Sequence, residues 1–167
     1  MITVRDTVRE EAETLAEIQK QAFLPLYEKY HADGNPCLRG KEDILDRLGH
    51  PRFRYFTIQE DGCTVGGVLY RCAGKTPFFV ALGEGEYYIQ RVYVVPKRQC
   101  CGIAQAAILL CEEKLAAAKR FWVDFPEDLD KNRRCYLKAG FHDTGKRLEI
   151  QPGLVLVCFE KSAAKRI

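Results

Sequence analysis

The sequence predicts a fold of the α/β class, α+β in type, with about seven strands and four helices. Three observations predict it. The run Glu86 to Val95 is rich in β-branched and aromatic residues, stops at Pro96, and is followed after a short loop by a stripe of small and apolar residues at helical spacing. A second strand and helix repeat that order between Arg120 and Ala139. Hairpin signals flank both, one around Glu60-Asp61-Gly62 and one around Gln151-Pro152-Gly153.

Taken in order, Ile2 to Arg5 reads as a short strand. Thr7-Val8-Arg9-Glu10 has the form of a capping box opening a helix that turns Leu15, Ile18 and Phe23 inward. Leu24 to His31 reads as a second helix, and Asp33-Gly34-Asn35-Pro36 as a loop. A short helix near Lys41 to Leu48 ends at Gly49. Phe53 to Gln59 and Cys63 to Cys72 form an antiparallel pair. Ala104, Ala107, Ile108, Cys111, Leu115 and Ala118 give a helix from about Gly102 to Ala118, and its small residues suit close packing on a sheet. Arg120 to Phe125 is a strand, Leu129 to Ala139 a helix closed by Gly140, and Phe141 to Ile150 with Leu154 to Glu160 the last hairpin.

The chain has 167 residues, 47% hydrophobic and 29% charged, and 26 Lys+Arg against 23 Asp+Glu give a net charge of +3. That is the length of one domain, residues 1–167, which buries roughly 70% of its unfolded surface and needs no disulfide. So small an excess of scattered basic residues argues against nucleic acid as a partner. No run of about 20 apolar residues suits a membrane, and the first residues lack a signal peptide's apolar stretch, so the expected location is the cytoplasm. The eight cysteines include no Cys-x-x-Cys pair and there are three histidines, so no metal site is expected. Cys72, Cys111 and Cys158 sit in apolar segments and read as core.

Two segments have the look of phosphate cradles. Gly140 to Lys146 matches Gly-x-x-x-x-Gly-Lys, but Arg147 replaces the Ser or Thr, and a helix precedes it where a strand is required. It is rejected, and no Gly-x-Gly-x-x-Gly follows a strand either. Gln99-Cys100-Cys101-Gly102-Ile103-Ala104 lies between the best strand and the best helix. There, free N–H groups and a helix dipole can face an anion. An ordinary strand-to-helix turn is the alternative.

Gln99-x-x-Gly102-x-Ala104, after Arg91 to Pro96, resembles the pyrophosphate motif of the GNAT superfamily of N-acetyltransferases. Asn132 to Phe141 resembles its Tyr-x-Lys-x-Gly-Phe motif. The resemblance implies a central, mixed, mostly antiparallel seven-stranded sheet splayed between strands 4 and 5, and acetyl-CoA as cosubstrate in the splay. It implies cofactor contacts from Val92, Tyr93 and Val94, and backbone N–H groups from Gln99, Cys100, Cys101, Gly102, Ile103 and Ala104, with the Cys100 and Cys101 side chains pointing away. Asn132 and Lys138 join them, although the family's usual Asn position is Leu129 here. Tyr136 falls on the position that protonates the departing thiolate. The strand-four glutamate that some members use aligns with Tyr88, so Glu86, two residues away on the same strand face, is the candidate base.

The implied activity is transfer of an acetyl group to a primary amine, directly and in a ternary complex. The alternative is a non-catalytic acyl-CoA sensor on the same fold. The acceptor stays open between a small amine and a protein amine, with Tyr27, Glu28, Tyr30, His31 and Asp33 as a candidate wall. The protein is expected to be a monomer or homodimer, the last hairpin offering an exposed edge.

Overall fold

The computed structural model describes residues 1–163. Its strands are β1 (Ile2–Asp6), β2 (Phe53–Glu60), β3 (Cys63–Arg71), β4 (Glu86–Val94), β5 (Arg120–Pro126), β6 (His142–Gln151) and β7 (Leu154–Ser162). They form one mixed sheet in the order β1-β2-β3-β4-β5-β7-β6. Every pair is antiparallel except β4–β5, which needs a crossover, and the helix α3 (Ile103–Lys114) provides it. That parallel pair runs only from Glu86↔Arg120 to Ile89↔Val123. Beyond it the two strands separate, which is the splay that the resemblance implies.

Alternation along the strands, reset in β4 by a bulge between Ile89 and Arg91, sends the two faces of the sheet into different packing. Ile89, Val94, Phe121, Val123 and Phe125 face α3 and α4 (Asp130–Lys138) in the main core. Tyr55, Leu69 and Tyr93 face α1 (Ala12–Tyr30) and α2 (Lys41–Leu48). Buried Arg91 ties those helices to β4, donating to Asp43 Oδ2 at 2.7 Å and Gln19 Oε1 at 3.1 Å. Tyr88, Trp122 and Cys158 form a third cluster beneath Phe78, Val80 and Leu82 of the β3–β4 connection.

Several boundaries differ from the sequence reading. The segment Leu24 to His31 is the continuation of α1, which passes through Pro25 and ends where His31 turns left-handed at φ 51°. Proline removes one ladder bond here without breaking the helix, because Phe23 and Ala22 anchor that turn to the core. The cap sits one residue later than expected: the Glu11 carboxylate, not Glu10, accepts from Val8 N at 3.0 Å, while Thr7 Oγ1 pairs with Thr57 Oγ1 at 2.8 Å. α3 stops at Lys114, short of Ala118. Cys111 and Cys158 are buried as expected, whereas Cys72 is only partly so.

The approach of β3 to β4 depends on missing side chains. A Cβ at Gly66 would lie 2.0 Å from the Tyr93 carbonyl oxygen. Gly66→Ala is therefore expected to destabilise the chain by about 3 kcal/mol or more, since backbone must move. A urea melt unchanged from the wild type would contradict this register.

Candidate active site

The cleft is built from what β4 leaves unpaired. Val95 N donates to Val65 O of the β3 side at 2.8 Å, so by alternation the backbone groups of Val94 and Val92 point the other way. That is the edge which β5 has abandoned. Gln99 Nε2 already donates to Val94 O at 2.9 Å, and Lys131 Nζ donates to Gln99 Oε1 at 3.0 Å, so Gln99 bridges β4 and α4. A cavity of about 560 Å³ opens here between α1, β4, the Gln99–Ala104 loop and α4. Its volume lies in the range of ligand pockets.

Two left-handed residues shape the loop, Cys100 at φ 60° and Gly102 at φ 79°, and the Gln99 N–H, expected to be free for an anion, is instead given to Pro96 O at 3.2 Å, closing the short turn before the loop. Ile103 then starts α3, whose first-turn N–H groups have no helical acceptor. A Cβ at Gly102 would meet nothing within 4 Å, so the glycine serves the backbone angle and keeps the space before the amides open. Gly102→Ala is expected to weaken acetyl-CoA binding tenfold or more while changing stability by only about 1 kcal/mol. Calorimetric titration beside a thermal melt checks both. Arg98, beside the loop, is bound bidentate to Glu60 at 2.8 and 2.6 Å. On α4, Lys131, Arg134 and Lys138 supply cationic charge to the opposite wall.

The structure brings together most of the residues singled out from sequence. Val92, Tyr93, Val94, Gln99, Cys100, Gly102, Ile103, Ala104, Asn132, Tyr136 and Lys138 all line the cleft. Cys101 does not; it is exposed and its Sγ donates to Gln99 O at 3.4 Å. Cys100, expected to point away, lines the cleft on its left-handed backbone. Tyr136 is buried, stacked on Phe125 at 5.3 Å and edge-on to Phe141 at 5.7 Å. Burial pushes its hydroxyl well above the usual phenol range.

Glu86 is not brought to this cleft. It lies at the first residue of β4, on the expected face but at the wrong level, six residues or about 20 Å of strand from Val92. Its carboxylate accepts from Gly83 N at 3.0 Å and lies 3.5 Å from Trp122 Nε1, bracing the turn into β4.

A second carboxylate, which sequence reasoning missed, is Asp124 of β5, which is not among the residues lining the cavity but stands where β5 leaves β4. It is one rung past the last β4–β5 pair, Ile89↔Val123. Its Oδ2 accepts from Tyr88 OH at 2.8 Å. Burial raises its pKa to about 6, against the hydrogen bond from Tyr88 and the charge of Arg71, which both lower it. Its charge also raises Tyr136 further. The available signal was a single carboxylate in the apolar run Phe-Trp-Val-Asp-Phe, an expensive residue to place there without a task.

Of the proposed acceptor wall, Tyr30 reaches across the fold. Its hydroxyl donates to Asp128 Oδ2 at 2.6 Å, Lys29 pairs with the same carboxylate, and Gln151 Nε2 of the last hairpin donates to Tyr30 O at 2.7 Å. Glu28, His31 and Asp33 are exposed. Among the described residues there is no cluster of metal-ligating side chains, and no helix is long and apolar enough to cross a membrane.

Known structures share this architecture. A putative acetyltransferase, yncA, from Salmonella typhimurium, solved with acetyl-CoA, superposes with a TM-score of 0.75 at 14% identity, over 99% of this chain and 95% of that one. The paia N-acetyltransferase from Thermoplasma acidophilum, solved with coenzyme A, gives 0.73 at 16% identity, over 97% and 99%. The ribosomal-protein-S18-alanine N-acetyltransferase from Escherichia coli gives 0.72 at 11% identity, over 100% and 97%. No curated protein matches the sequence. Residues 12–141, most of the chain and all of the cleft-forming elements, match the acetyltransferase (GNAT) family, and the chain belongs to that family.

Proposed function

We propose that this chain, as a single acetyltransferase domain, transfers the acetyl group of acetyl-CoA to a primary amine, directly and in a ternary complex. The observation that carries the reading is the cleft where β4 loses its partner, lined by Tyr136, with Asp124 one rung past the last β4–β5 pair. The cleft fits the cosubstrate: a strand edge at Val92 and Val94 that β5 leaves unpaired, with only Val94 O taken by Gln99 Nε2, for the pantetheine amides, first-turn amides of α3 after left-handed Gly102 for the pyrophosphate, and cations on α4. Coenzyme A and acetyl-CoA in the similar structures support the same assignment.

The residues then divide the work. An alkylamine with a pKa near 10.4 is free base in only about one molecule in 10³ at pH 7, so it arrives as an ammonium. Asp124, mostly ionised at pH 7, takes one of its protons. The amine nitrogen then forms its bond to the thioester carbonyl carbon, and a backbone N–H near Val92 receives the negative oxygen. As the C–S bond breaks, Tyr136 gives its proton to the sulfur and regains one from the nitrogen, ending neutral as it began. Asp124 releases its proton to water. The net result is one amide, one CoA thiol and one proton.

The acceptor class remains a small amine or a protein amine, as in similar structures named for an alanine of a ribosomal protein and for spermidine. The test is loss of thioester ultraviolet absorbance with a polyamine, an aminoglycoside, an amino acid and a peptide N-terminus as acceptors. Exposed Cys63, Cys100 and Cys101 make thiol reagents unsuitable. Turnover with one of them supports the reading. Binding of acetyl-CoA without turnover by any would make the chain an acyl-CoA sensor.

A further inference from the structure

Asp124 is surrounded from four elements. Tyr88 faces it from β4, Arg71 from β3, Tyr136 from α4 and Cys158, its register partner, from β7. Of these only Tyr88 bonds it, donating to Oδ2 at 2.8 Å, while Oδ1 has no hydrogen-bond partner among the described residues. Tyr88 is itself held fast. Its ring packs with Trp122 and Cys158 beneath Phe78, Val80 and Leu82. The Arg71 guanidinium stands 5.2 Å from the ring centroid and is anchored to Ala73 O at 2.8 Å and Lys75 O at 2.9 Å. Register explains the reach: Tyr88 pairs with Trp122, so its hydroxyl extends one step along β5 to Asp124. Tyr88 also occupies the position at which the family resemblance sets a glutamate, so here the carboxylate stands on the neighbouring strand.

We propose that Tyr88 is the positioning residue of the transfer: its hydroxyl fixes Asp124 Oδ2 and thereby presents Oδ1 to the acceptor ammonium. The inference rests on Asp124 being the base. Packing alone gives no reason for a hydroxyl in an aromatic cluster, whereas a carboxylate that must accept a proton in one direction needs its other oxygen held.

The test is Tyr88→Phe, which keeps the ring and deletes the bond. It is expected to lower kcat about tenfold, to leave the KM for acetyl-CoA unchanged, and to move the acid limb of the pH profile up by roughly one unit, since a hydrogen bond that favours the ionised carboxylate is lost. The limb's midpoint does not depend on how much of the enzyme is folded. Combined with Asp124→Asn, Tyr88→Phe should cause no further loss, because Tyr88 acts through Asp124. Wild-type kcat and an unmoved limb in Tyr88→Phe, or a double variant showing the product of the two losses, would overturn the assignment. Wild-type kcat in Asp124→Asn would instead remove Asp124 as base.

Discussion

Replacing Tyr136 with phenylalanine is expected to lower kcat by about 10²- to 10³-fold and to leave acetyl-CoA affinity within about twofold of the wild type. The selectivity follows from what the hydroxyl does and does not touch. The ring provides the packing, against Phe125 and Phe141, and phenylalanine preserves it. No side-chain hydrogen bond acts on the hydroxyl, only burial and the charges of Cys135 and Asp124, so its removal leaves no partner unpaired. What disappears, on the proposed mechanism, is the proton given to the departing sulfur. Steady-state kinetics with calorimetric binding separate the two effects. Equal loss of binding and turnover would show that Tyr136 serves the cleft's shape.

Asp124→Asn should have the second large effect, and of two opposite signs. Turnover should fall by about 10²-fold or more, because the carboxamide cannot take the ammonium's proton. Stability should rise. The pKa of Asp124 in the folded chain, about 6, lies above its ordinary 3.8. Between those values the native state keeps a proton that the unfolded state has released, so the stability associated with the protonated form is present below about pH 4 and is lost as pH rises through about 6. At pH 7 the ionised group therefore costs about two units, or about 3 kcal/mol, which asparagine avoids while still accepting from Tyr88 OH. A melting temperature raised by several degrees at pH 7, with the difference shrinking toward pH 4, is the expected result. This is a stability–activity trade-off confined to one residue.

The frame of the fold was legible because its signals are local. Pro96 ends β4, left-handed Gly102 precedes α3, and Asp61-Gly62, at φ 50° and 84°, turns the β2–β3 hairpin. The cradle loop was legible for the same reason, since its glycine and its place between strand and helix are sequence facts. The division before Leu24 does not occur because α1, already anchored by tertiary contacts, runs on through Pro25 and tolerates one lost ladder bond. The proposed base differs from the one the sequence suggests for a geometric reason. Period two gives the face of a strand, and it put Glu86 on the correct one, but the level along the strand is set by where β5 parts from β4. That point depends on the pairing Ile89↔Val123 between residues far apart in the chain. The role proposed for Asp124 follows only from that pairing and from Tyr88, neither of which a single sequence displays.

The measurement that bears most directly on this account is the pH dependence of kcat/KM, followed by thioester absorbance with one primary amine that the wild type accepts. The account predicts an acid limb with its midpoint at about 6, the value that burial gives Asp124, and no such limb in Asp124→Asn. A profile without a break from about pH 5 to about pH 8, or the same limb retained in Asp124→Asn, would contradict it.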